Sequence, residues 1–198
     1  MLQVMLFLTD NAWPAGLLTI FEQYRAKCEV FENHYYGPYD KLLNYCFRSD
    51  FTFYIAPQSP PNDDSHDTIE FIVFLIMFNS KKKPVLLVEV KDNSWAYRAE
   101  LRYQADKQMH DWYDLILEVC PMPRLWGLSV LGTSMRIYAG DTRSFNVTPL
   151  RSQCPRPQSH VLPVNFLAGQ WNLNILSQEG FDKVKEIVTD ILTHIENV

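Results

Sequence analysis

The chain has 198 residues, 47% hydrophobic and 14% aromatic, which supplies a core for one sizeable domain and excludes global disorder. A formal net charge of −5 excludes a broad basic surface for holding nucleic acid, though not a single local patch of cations. Cys28, Cys46, Cys120 and Cys154 show no C-x-x-C spacing and the five histidines no H-x-x-x-H, so a disulfide frame or zinc site is not expected, and reduced thiols suggest an intracellular protein.

Met1 to Leu8 is apolar but lacks a basic start and a cleavage site, and is too short to span a membrane. Leu17, Leu18, Phe21, Tyr24 and Cys28 fall near a 3.6-residue period, which predicts a helix from Pro14 to about Phe31. Pro38 suits the first position of a second helix, running to about Phe47 and burying Leu42, Leu43, Cys46 and Phe47. A first strand is expected over Phe51 to Ile55, then a polar loop from Pro57 to Asp67. The β-branched and aromatic run from Thr68 to Phe78 reads as a central strand, and Asn79 to Lys83 turns the chain into Val85 to Lys91 as an antiparallel partner.

Val85-Leu86-Leu87-Val88-Glu89-Val90-Lys91 is the stretch around which the rest is arranged. Its aliphatic density predicts a strand buried on both faces. Side chains alternate along a strand, so Glu89 and Lys91 share a face. A carboxylate in an apolar setting is costly unless compensated, and a buried strand ending in Glu-Val-Lys therefore suggests a site. The plainer reading is a strand emerging into water.

Asn93 or Ser94 is expected to cap a long helix from about Trp95 to Val119, with Trp95, Ala99, Ala105, Met109, Trp112, Tyr113, Ile116 and Val119 on its apolar face. Leu125 to Leu131 and Met135 to Ala139 are expected strands joined at Gly132-Thr133-Ser134, and residues 142–163 an irregular loop. Ser177 should cap a last helix, within residues 177–196, whose face carries Phe181, Val184, Ile187, Val188, Ile191, Leu192 and Ile195. One domain over residues 1–198 is expected, of α/β class.

With Glu70 in the second strand and Glu89-Val90-Lys91 in the third, the chain resembles the PD-(D/E)xK nuclease-like superfamily over about residues 38–139. Gln108 to Tyr113 is similar to the Gln-x-x-x-Tyr element of exonuclease-like members, and Tyr36 to Leu42 and Gly127 to Gly140 are similar to segments of uncharacterised fungal proteins of this kind. The resemblance implies a restriction-endonuclease-like α-β-β-β-α-β core with a mixed central sheet, to which the C-terminal helix is added. It implies Mg²⁺ or Mn²⁺ held by Glu70, Glu89 and the Val90 carbonyl, with Lys91 and Gln108 as catalytic partners, Asp40 as a possible additional acid and Glu32 behind it. Oxygen donors suit a hard cation, which phosphodiester hydrolysis uses to neutralise charge and deliver water. One departure stands out: the usual Pro-Asp is Ile69-Glu70 here.

Two functions follow as expectations: a metal-dependent nuclease acting on DNA or RNA, or a catalytically eroded nuclease-fold module serving as a binding or scaffold protein. Plainer readings stand beside the helper residues: Gln108 as a solvent-facing helix residue, Asp40 as a first-turn acid, His34 and His110 as surface or packing residues, Trp112 and Tyr113 as core. Val88-Glu89-Val90-Lys91 also matches the kinase Val-Ala-Ile-Lys strand superficially, but no Gly-rich loop precedes it and no His-Arg-Asp or Asp-Phe-Gly follows.

Overall fold

The periodicities above build their elements with several displaced ends. The computed structural model describes residues 6–26, 35–47, 53–59, 69–76, 82–154 and 161–195. A short helix, α1 (Leu6–Thr9), precedes α2 (Ala15–Ala26) and α3 (Tyr36–Phe47). Residues 27–31 of the first expected helix lie outside the described residues. Pro38 is the third residue of α3 rather than its first, which sacrifices nothing, because first-turn N–H groups have no intrahelical acceptor.

Strands β1 (Phe53–Ser59), β2 (Ile69–Ile76) and β3 (Lys82–Lys91) follow. The expected loop starts later than Pro57, because β1 runs through that proline, which pairs with Phe71. A missing N–H is tolerated there because β1 is the first strand of the sheet. Pro84 likewise lies within β3, opposite Phe74 at the register shift between Val73 and Phe74. Residues 60–68 are outside the described residues.

The long helix expected over Trp95 to Val119 is divided. Asp92, not Asn93 or Ser94, provides the cap: its side chain accepts from Ser94 N at 2.9 Å and starts a 3₁₀ helix, Asn93–Tyr97. Arg98 is extended (φ −118°, ψ 125°), so the chain turns before α4 (Ala99–Ile116), and a 3₁₀ turn, Leu117–Val119, ends it. Val119, expected on the apolar face, is exposed.

Strands β4 (Arg124–Leu131) and β5 (Ser134–Asp141) form a hairpin over Gly132 and Thr133, with Gly132 at φ +65°. Any Cβ at Gly132 would strike Asn93, so the turn demands glycine twice over. Two short strands, β6 (Val147–Thr148) and β7 (Leu173–Asn174), add to β5 from the otherwise irregular late segment. The last helix, α5 (Gln178–Ile195), has its expected cap, since Ser177 Oγ accepts from Gly180 N at 3.1 Å.

Among the described residues the strands form one seven-stranded sheet in the order β1-β2-β3-β4-β5-β6, with β7 also on β5. Strands β3 and β4 run parallel, and the other pairs are antiparallel. The parallel pair needs a crossover, which the 3₁₀ helix and α4 provide. The protein is thus α/β with a mixed sheet, as expected. Helix α4 lies close on one face: a Cβ at Gly127 would meet Met109 and Tyr113, and one at Gly140 would meet Tyr113 and Leu117. On the other face Trp126 Nε1 donates to Asp190 of α5 at 2.7 Å, and rings of Phe7, Trp13, Tyr45 and Phe181 tie α1, α3 and α5 together.

Candidate functional site

The inner position of β3, between β2 and β4 and beneath α4, determines the environment of its polar end. Leu86, Leu87, Val88 and Val90 are buried, and Glu89 is 0% exposed. The reading of Glu89 as a wetted strand end is thereby excluded. Lys91 Nζ lies 2.7 Å from Glu89 Oε1, so the alternating pair folds onto itself along one face. Trp112 Nε1, reaching down from α4, donates to Glu89 Oε2 at 3.3 Å. The Lys91 ammonium also lies 5.2 Å from the centre of the Trp95 ring, on the 3₁₀ helix that begins two residues later. Carboxylate, ammonium and two indoles form one compact group. A carboxylate so placed needs these partners, because it has given up water.

Gln108 lies one helical turn before Trp112 on α4, and therefore on the same stripe of the helix. Its Oε1 is buried with no hydrogen-bond partner among the described residues. Glu70 is the second residue of β2, and the register ends at Phe71 opposite Val88, so the next antiparallel position sets Glu70 opposite Glu89. The side chain of Glu70 lies outside the described residues. Val90 pairs with Val130 of β4. Asp40 is on the exposed side of α3, where its carboxylate accepts from Asn44 at 3.1 Å, and it has no described contact with Glu89 or Lys91. Glu32 and His34 lie outside the described residues. Trp112, Tyr113 and His110 are buried, in keeping with their readings as core and packing residues.

A second polar group on the same face went unread in the sequence. Glu89, Ser129 and Arg136 fall in register across β3, β4 and β5. Ser129 Oγ accepts from Trp171 Nε1 at 3.1 Å. Asp106 of α4, fully buried, accepts from Arg136 Nη1 at 2.8 Å, Tyr138 OH at 2.9 Å and Ser152 N at 3.0 Å. Burial raises the Tyr138 hydroxyl well above its ordinary range, and the Asp106 charge adds to that. His110 Nε2 is 3.8 Å from Asp106 Oδ1. Burial lowers the His110 imidazole below its ordinary value, against the pull of Asp106 and with help from the Arg151 and Arg136 charges. A signal was available: Asp106 breaks the apolar stripe between Ala105 and Met109, and a mid-helix acid there requires a buried partner.

The Glu89 carboxylate at the end of β3 is an oxygen donor of the kind that suits a hard divalent cation, and it is ion-paired with Lys91. Among the described residues no three His, Cys, Asp or Glu side chains gather as a metal centre. No helix of the described residues is long and apolar enough to cross a membrane.

No protein-family model and no curated protein sequence matches the chain. Comparison with solved structures finds similarity to the type IIG restriction endonuclease BpuSI, at 12% identity and a TM-score of 0.38. The match covers 87% of this chain and 16% of that one, so the chain spans a small part of that protein's length.

Proposed function

We propose that the chain is a metal-dependent nuclease of the PD-(D/E)xK type, hydrolysing phosphodiester bonds of DNA or RNA inside the cell. The observation that carries this reading is the ion pair of Glu89 and Lys91 at 2.7 Å on one face of an inner strand, with Glu70 one residue beyond the Phe71–Val88 pair of the neighbouring strand. A fold does not require a buried charge at that point, since an apolar pair of similar size is often as stable or more so. The order α3, β1, β2, β3, α4, β4 supports the same reading.

Glu89, Glu70 and the Val90 carbonyl would hold Mg²⁺ or Mn²⁺, which supplies Lewis acidity and a deprotonated water when bound. Lys91 presents its ammonium beside them, where charge builds on the phosphate oxygens in the transition state. Gln108, whose buried carbonyl has no hydrogen-bond partner among the described residues, would orient its amide toward the phosphate or the ligand carboxylates. Asp40, hydrogen-bonded to Asn44 on the exposed side of α3, is not needed in this arrangement.

The eroded, binding-only reading has one observation in its favour: Glu89 is 0% exposed and already engaged by Trp112 and Lys91. Labelled single- and double-stranded DNA and RNA, incubated with Mg²⁺ or Mn²⁺ and with chelator, separate the two. Hydrolysis should require the metal and fall about 10²–10³-fold in Lys91→Met, whose folded state is checked by circular dichroism. Undiminished activity in that variant removes Lys91 from catalysis. No hydrolysis of any substrate leaves the binding module.

A further inference from the structure

The connector between β3 and α4 carries more than the turn requires. Within eight residues it presents Lys91, Trp95, Tyr97 and Arg98. Trp95 is half-buried against the Lys91 ammonium, whereas Tyr97 is 79% exposed and Arg98 is exposed in an extended backbone conformation. Arg102, itself buried, sets the position of this edge. Its Nη1 donates to Ala96 O at 2.7 Å, its Nη2 to Val164 O at 2.7 Å, and its Nε to Phe166 O at 3.0 Å. One guanidinium thus brings the backbone next to Tyr97 together with that of Val164, which is 84% exposed. The result is an aromatic ring and an aliphatic side chain in water, in the same connector as the exposed Arg98 and the lysine of the candidate site. Among the described residues the nearby acids are Glu89, ion-paired with Lys91, Asp92, occupied in capping Ser94 N, and Glu100 in the first turn of α4.

We infer that this edge binds single-stranded nucleic acid, with an unstacked base on the Tyr97 ring and its phosphate at Arg98, next to Lys91. This deepens the proposed function by naming the substrate class, and its placement beside Lys91 rests on that reading. Two apolar side chains are far too small an area for a stable protein partner, which needs about 800 Å² on each side. A base offers an area of the right size, a flat face that any sequence provides, and an attached anion to meet the cation. Bases inside a duplex are stacked on one another and do not present that face, so the edge selects single strands or frayed ends.

The test is binding, measured in chelator so that no turnover occurs. Fluorescence anisotropy of a labelled single-stranded oligonucleotide is followed for the full chain, Tyr97→Ala, Tyr97→Phe and Arg98→Glu, with the matching duplex as the second probe. Tyr97→Ala should weaken single-strand binding about ten- to a hundredfold, the range for loss of one base–aromatic stack. Tyr97→Phe, which keeps the ring, should bind within about twofold of the original. Arg98→Glu should weaken binding and flatten its salt dependence. Duplex binding should be weaker throughout and indifferent to Tyr97. Unchanged affinity in Tyr97→Ala, an equal loss on duplex, or no binding of single strands by the full chain would each overturn the inference. A chain that binds through Tyr97 without hydrolysing anything keeps this inference and loses the nuclease. Metal-dependent hydrolysis with unchanged Tyr97→Ala binding does the reverse.

Discussion

At the scale of single residues, the buried ion pair governs what substitution does. Lys91→Met removes the ammonium partner of the buried Glu89 carboxylate, and removing one member of such a pair costs about 3–5 kcal/mol. Glu89→Gln should be milder, because the Lys91 side chain is 17% exposed and its ammonium can shift toward water. The double variant should recover much of the loss. Denaturant titration of the four proteins in chelator measures the coupling, and strict additivity would mean that the two residues do not act as a pair.

His110 gives a pH signature. Its imidazole is lowered by burial, so the unfolded chain takes up a proton near the ordinary value of about 6.5 before the folded chain does. Stability contributed by a neutral His110 is therefore present above about pH 6.5 and declines as pH falls through that value toward the lowered one. Asp106 opposes the decline, while Arg136 and Arg151 reinforce it. Melting temperatures of the original chain and of His110→Phe, compared between pH 7.5 and 5, should converge toward the acid end. Parallel curves would mean that His110 does not titrate differently in the fold.

At the scale of elements, close approach of α4 to the sheet depends on two glycines. A Cβ at Gly140 would lie 2.7 Å from Tyr113 and 2.8 Å from Leu117, both buried. Gly140→Ala should destabilise by about 1–3 kcal/mol through overpacking, read as a lower denaturation midpoint with an unchanged slope. An unaltered midpoint would show that the helix moves aside freely. This closeness was not legible in the sequence, because Gly127 and Gly140 sit in strands where glycine has no local purpose and gains meaning only from the helix above. The strand period, by contrast, placed Glu89 and Lys91 on one face from seven residues alone. The division of the long helix was hidden for another reason. Asp92, Asn93 and Ser94 are all good caps, the apolar spacing runs on through Trp95, and only the extended Arg98 separates the 3₁₀ turn from α4. That same break turns Trp95 onto Lys91 and leaves Tyr97 in water.

At the scale of the whole molecule, sheet order rather than any local motif assembles the site. The β3–α4–β4 crossover sets an indole from α4 on a carboxylate of β3, twenty-three residues earlier in the chain. Carried one residue past the Phe71–Val88 pair, the antiparallel register sets the Glu70 backbone opposite Glu89. The sequence could display the acids and the lysine, but Trp112 as a hydrogen-bond donor and the row of Glu89, Ser129 and Arg136 emerge only from registers between strands distant in the chain. We propose that the Glu70 and Glu89 positions form one divalent-cation site. A ligand that binds only the folded state stabilises it by RT ln(1 + [L]/Kd), about 2.7 kcal/mol at a hundredfold excess over Kd. Each kcal/mol moves the melting point of a domain this size by roughly 2–4 °C. The measurement is a thermal melt of the original chain, Glu70→Gln and Glu89→Gln, each with millimolar Mn²⁺ and with chelator. The expected result is a rise of several degrees with Mn²⁺ in the original chain and no rise in either variant. A melting point of the original chain that ignores Mn²⁺, or a rise that survives in both variants, contradicts the claim.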